Sequence, residues 1–158
     1  MAGQLRGINT SWYFKTKAMS KLGPIVIVED DSDDQEVIQE AMEELGIKNE
    51  LIFFDRSLKA FDYLKSTNQQ PFIILSDVNL PTQNGIEFKR QIDNDGQLRE
   101  KSIPFVFYST AVDKNSVDTA YKELTVQGFF KKKNKYEELK EDLKLIIDYW
   151  TVCKHPNS

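Results

Sequence analysis

Five short apolar runs recur along the chain, at 24–28, 51–54, 71–76, 103–108 and 126–131, each rich in Ile, Val or Phe and closed by turn residues or charge. Runs of this length predict strands buried on both faces. Between them the apolar positions shift to helical spacing. Val37, Ile38, Ala41, Met42 and Leu45 share one face, as do Leu58, Phe61 and Leu64, and then Phe88 and Ile92. Val117, Ala120, Tyr121 and Leu124 repeat the pattern, and Tyr136, Leu139, Leu143, Ile146 and Trp150 continue one stripe along the last helix. These stripes read as core rather than as a cofactor-binding face.

The alternation predicts βαβ units and a parallel sheet, hence an α/β fold. Right-handed crossovers place helices on both faces of a doubly wound five-stranded sheet. They also create a switch point, at the carboxyl ends of the strands, where ligands bind. Residues 1–22 show neither period and are expected to form a flexible extension. Within it Met19 is a candidate start, and Trp12, Tyr13 and Phe14 with nearby lysines a candidate contact. Residues 23–150 form the expected domain and 151–158 a short tail, with no output domain attached.

Composition narrows the function. The 158 residues, 40% of them hydrophobic, fit one domain with an ordinary core. A formal net charge of −4 offers no general attraction to nucleic acid or to an anionic membrane. The lysines at 131, 132, 133 and 135 lie beside several acids in this acidic chain and do not change that expectation. A single cysteine, Cys153, excludes a disulfide framework and a thiolate zinc cluster and fits a reducing cytoplasm. No segment approaches the roughly 18 apolar residues of a bilayer span. No P-loop or G-x-G-x-x-G turn supports nucleotide binding. His155, in the short tail with no acid or cysteine placed to share a metal with it, is expected to be a solvated surface histidine.

The first strand runs into Glu29-Asp30-Asp31-Ser32-Asp33-Asp34, and the third ends in Asp77. Acids after a strand commonly cap the next helix, which accounts for Ser32, Asp33 and Asp34. Glu29 and Asp30 brought beside Asp77 would instead crowd carboxylates into a small volume, a conflict that a hard divalent cation with oxygen ligands removes. A carboxylate next to such a cation is a competent nucleophile toward phosphorus. Thr110 after the fourth strand and a lysine among 131–133 after the fifth are available donors for phosphoryl oxygens.

The segments Val28-Glu29-Asp30-Asp31, Leu75-Ser76-Asp77 with Leu80-Pro81 and Asn84-Gly85, Ser109-Thr110-Ala111, and Gly128-Phe129-Phe130-Lys131-Lys132 follow one another in an order and spacing that resemble the response-regulator receiver family. The resemblance spans residues 24–150 and is strongest to single-domain receivers that partner phytochrome-type and other sensor histidine kinases. It implies a flavodoxin-like sheet of order 2-1-3-4-5 and a phosphorelay role: a phosphoryl group accepted on Asp77 from a histidine kinase or phosphotransfer protein, with Mg²⁺. By the same resemblance Glu29, Asp30, Asp77 and the Asn79 carbonyl hold the metal, and Thr110 and Lys132 contact the phosphoryl group. Phe129 is the switch aromatic, and residues 113–124 and 126–131 form the face that signals by protein contact. A one-residue slip would make Asp31 a ligand.

One departure stands out: Lys133 occupies the place where the family usually has proline after the site lysine. Two other functions share parts of this pattern. A phosphohydrolase acting through an aspartyl phosphate needs a second acid two residues after its nucleophile, where this chain has Asn79. A receiver-like module that is never phosphorylated would not need Asp77, Thr110 and Lys132 together.

Overall fold

The apolar runs form β1 (Ile25–Val28), β2 (Leu51–Phe54), β3 (Ile73–Ser76), β4 (Phe105–Ser109) and β5 (Gly128–Lys131). A computed structural model describes residues 21–110 and 112–156; the readings made for Trp12, Tyr13, Phe14, Met19 and Ala111 lie outside them. All pairings are parallel, in the order β2-β1-β3-β4-β5. This is the doubly wound sheet expected. β1, β3 and β4 are buried throughout, whereas β2 and β5 are edge strands and only partly buried, so two-sided burial holds for the inner strands alone.

The described residues form six helices: α1 (Ser32–Glu44), α2 (Ser57–Ser66), α3 (Gly85–Asn94), α4 (Gly96–Lys101), α5 (Lys114–Glu123) and α6 (Tyr136–Val152). The short α4 follows Asp95, whose side chain accepts from the Leu98 amide at 3.0 Å, and the apolar periodicity does not announce it. α1 and α6 cover one face of the sheet, packing on Ile25, Ile27, Ile73, Leu75, Val106 and Tyr108. The opposite face, built on Val26, Val28, Ile74, Phe105 and Phe107, is covered by α2 to α5.

Two expected core positions are corrected. Leu58 and Tyr121 are exposed. In α2 the buried stripe is Ser57, Ala60 and Leu64 with Phe61 against it, and at about 100° per residue Leu58 falls well off that stripe. In α5 the inward line runs through Ala120 to Leu124, with Tyr121 on its flank.

The tail also departs from expectation. His155 is fully buried, its Nε2 2.8 Å from the Phe72 carbonyl oxygen and its ring stacked on Phe72 at 5.6 Å. A carbonyl only accepts, so Nε2 carries the proton. The edge of Trp150 closes the other side at 6.5 Å. Burial lowers the pKa of this imidazole, and Lys21 adds to the effect. The reason for the difference is long-range: the chain turns back after α6 onto the entry to β3, and Lys21 Nζ donates to the Thr151 carbonyl at 2.8 Å.

Register brings the chemical groups to one edge. Val28 pairs with Ser76, so Glu29 and Asp77 leave adjacent strands side by side, and the Asp77 amide donates to the Val28 carbonyl at 3.0 Å. Ser109 pairs with Lys131, and the Lys132 amide donates to the Ser109 carbonyl at 2.9 Å. The loop from Asp77 to α3 closes on itself: the Gly85 amide donates to the Val78 carbonyl at 2.8 Å. A Cβ on Gly85 would lie 2.1 Å from the Asp77 carbonyl oxygen, so the approach requires glycine.

Candidate functional site

Asp77, nearly buried at the end of β3, lies at the centre of a set of convergent donors. The Asn79 amide donates to its Oδ1 at 3.1 Å, and the Ser109 hydroxyl donates to the same oxygen. Lys132 Nζ donates to Oδ2 at 3.2 Å. Lys132 also donates to Glu29 Oε2, and to Asp34 Oδ2 at 3.0 Å. One buried ammonium therefore serves three carboxylates.

The acids expected to hold a cation are brought together. Glu29, Asp30 and Asp77 each place a carboxylate oxygen within 4.8 Å of the others. Glu29 and Asp77 are buried and Asp30 is exposed, so the cluster opens to solvent on one side. Burial pushes the Glu29 carboxyl up to about 7, against the opposing hydrogen bond from Lys132. Burial alone would lower the Lys132 ammonium, but Glu29, Asp77 and Asp34 outweigh it and raise its pKa. Four carboxyl groups, Glu29 among them with its raised pKa, against a single ammonium leave the pocket net negative, and its all-oxygen donor set fits a hard divalent cation.

Asp31 lies outside this group of three acids. It is the N-cap of α1, its Oδ1 accepting from the amides of Asp33 at 2.8 Å and Asp34 at 3.2 Å. Capping and the helix dipole were expected to account for Ser32, Asp33 and Asp34; Asp33 and Asp34 do lie in the first turn, but the cap is Asp31, and the Asp34 side chain accepts from Lys132.

A second hydroxyl stands beside the expected one. Thr110 is exposed, and the hydroxyl that reaches Asp77 is that of fully buried Ser109, the last residue of β4. The strand continues one residue beyond the expected end at 108, so the first of the two adjacent hydroxyls faces the acid. Ser109 Oγ also accepts a long bond, 3.4 Å, from the Val78 amide.

Phe129 is partly buried on β5, its ring 5.3 Å from that of Phe107, which in turn meets Phe105 at 5.0 Å. An aromatic row thus runs from the middle of the sheet to the surface near Lys132. At the family's proline position, the Lys132–Lys133 bond is trans, as are all peptide bonds among the described residues. No helix among the described residues is long and apolar enough to cross a membrane.

Known proteins resemble this chain in sequence and fold. Response regulator Rcp1 of Synechocystis sp. is 30% identical over 131 residues, covering 80% of this chain and 87% of the relative. The probable methanogenesis regulatory protein FilR2 of Methanothrix harundinacea is 29% identical over 130 residues, covering 80% and 82%. Among solved structures, the phosphorylated cyanobacterial phytochrome response regulator RcpA superposes with a TM-score of 0.76 at 28% identity, covering 84% of this chain and 97% of that one. The Mn²⁺-bound form of Rcp1 gives 0.72 at 28% identity, with the same coverage. The family model "Response regulator receiver domain" matches residues 25–144, which takes in every strand and all the groups around Asp77, and the chain belongs to that family of two-component receivers.

Proposed function

We propose that Asp77 is the phosphoacceptor of a phosphorelay, taking a phosphoryl group from the phosphohistidine of a sensor histidine kinase or phosphotransfer protein. One observation carries this reading: the hydroxyl of Ser109, the amide of Asn79 and the ammonium of Lys132 all point at the two oxygens of a single strand-end carboxylate beside Glu29 and Asp30. An Asp77 oxygen attacks phosphorus, the P–O bond forms as the P–N bond breaks, and the imidazole leaves. Lys132 and Ser109 then turn their donors from Asp77 to the phosphoryl oxygens, with exposed Thr110, one residue on, as the other hydroxyl at that strand end.

Glu29, Asp30, Asp77 and the Asn79 carbonyl would hold Mg²⁺, a reading supported by the Mn²⁺-bound form of the similar Rcp1. The ion would neutralise the phosphoryl charge and orient it for in-line attack. With its own residues supplying these groups, the receiver promotes both its phosphorylation and its hydrolysis without turning over metabolites.

Signalling follows from the same donors. When Ser109 is drawn to the phosphoryl group, the end of β4 shifts against Phe129, and the face of α5 and β5 changes its packing for a protein partner to read. The test is an NMR titration with beryllofluoride and Mg²⁺. Shifts are expected at Asp77, Ser109 and Lys132, continuing to Phe129 and α5. Perturbation confined to the loops around Asp77, with Phe129 silent, would refute the switch.

A further inference from the structure

A second polar site lies at the opposite, amino-terminal edge of the sheet, built around a lysine that the phosphoacceptor reading does not use. Lys89 is only 4% exposed, although lysine is almost never fully buried without full pairing. Its Nζ lies 2.8 Å from Asp93 Oδ1 and 5.1 Å from the centroid of the Phe105 ring. Asp93 is already shared: Thr125 donates to it twice, from its amide at 3.0 Å and its hydroxyl at 2.6 Å. An ammonium has three N–H donors, and among the described residues these two contacts leave it short of an acceptor. Burial accordingly lowers the Lys89 pKa in spite of Asp93.

The ammonium borders a pocket of about 290 Å³ between α3, α4 and the entries to β4 and β5. That volume suits a small ligand. Arg99 also lines the pocket, exposed and without an ion pair among the described residues, so two cations face one anion. Ile92, Leu98, Ile103 and Pro104 supply apolar wall, and Trp150 supplies an aromatic surface. We propose that this pocket binds a small aromatic carboxylate, which accepts from Lys89 Nζ and the Arg99 guanidinium and lays its ring against Trp150. The carboxylate supplies a second acceptor beside Asp93, and the ring fills a space lined by apolar side chains.

The probe is benzoate, titrated into the full chain carrying Trp12→Phe so that Trp150 is the sole indole fluorophore. Benzamide, of the same shape without charge, is titrated in parallel. A saturable fluorescence change with benzoate is expected, with benzamide about tenfold weaker or worse. Arg99→Ala, at an exposed rim position, is expected to weaken benzoate about tenfold while leaving the fold intact, and Lys89→Met to weaken it at least as much. Three results would overturn the proposal: no saturable change up to millimolar benzoate, equal binding of benzamide, or undiminished binding by Arg99→Ala.

Discussion

Replacing Ser109 by alanine separates the site that the structure shows from the one the motif suggested. The Ser109 hydroxyl is fully buried and donates to an ionised carboxylate, a bond of the kind that contributes about 1.5–3 kcal/mol. Asp77 keeps its Asn79 amide at 3.1 Å and its Lys132 ammonium at 3.2 Å, so it is not orphaned, and a loss near the lower end, about 2 kcal/mol, is expected. For a chain of this size that corresponds to a fall of about 4–8 °C in Tm. Thr110→Val alters an exposed side chain and should stay within about 0.5 kcal/mol.

Phosphorylation by acetyl phosphate with Mg²⁺ supplies the second readout. Loss of a charge-assisted donor to the phosphoryl oxygens should slow Ser109→Ala by about tenfold to a hundredfold, against little change in Thr110→Val. Thermal melts and single-exponential labelling time courses measure both effects. If Thr110→Val were slow and Ser109→Ala normal, the hydroxyls would exchange roles on phosphorylation and the assignment to Ser109 would be wrong.

Three other outcomes follow from the geometry. Asp30→Asn removes an exposed ligand candidate, so stability without metal should hold or rise, while the stabilisation by Mg²⁺, about 2.7 kcal/mol at a hundredfold excess over Kd, should largely vanish in thermal melts. Gly85→Ala forces a Cβ against the Asp77 carbonyl; a cost of about 1–3 kcal/mol in urea unfolding and slower acetyl phosphate labelling are expected, and a neutral result would contradict the tight loop. The buried His155 has its pKa lowered in the folded state, so its contribution is fully present above the unfolded value of about 6.5 and is lost as pH falls from there through the folded pKa. Urea unfolding at about pH 7.5 and 5.5 should therefore show a larger loss of stability in the parent than in His155→Gln, by up to about 1.4 kcal/mol over the one pH unit below 6.5.

The fold was legible because β1, β3 and β4 are central strands: with both faces buried, their runs are almost purely apolar and cannot be taken for an amphipathic helix. Asp77, Glu29, Asp30 and Lys132 were legible for a related reason, as charged residues that break such runs at the carboxyl edge. What failed depended on distances along the chain or on single steps of register. The Ser109 hydroxyl on Asp77 went unread beside Thr110, because the two differ by one residue of strand end, which adjacent hydroxyls do not reveal. Asp34 passed for a capping residue because the cap itself, Asp31, lies three positions earlier and carries the same side chain. His155 meets Phe72 across 83 residues of sequence, beyond any local period. Lys89 sits between Phe88 and Ile92 on the buried side of α3, where a charged residue is ordinarily taken for the solvent face.

Intact-mass spectrometry after incubation with acetyl phosphate and Mg²⁺ tests the central claim most directly, with Asp77→Asn and a chelator-treated sample beside it. A base-labile gain of roughly 80 Da, absent from both controls, is the predicted result. A gain that persists in Asp77→Asn would place the phosphoryl group elsewhere, and no gain in a parent protein shown to bind Mg²⁺ would contradict the phosphoacceptor role of Asp77.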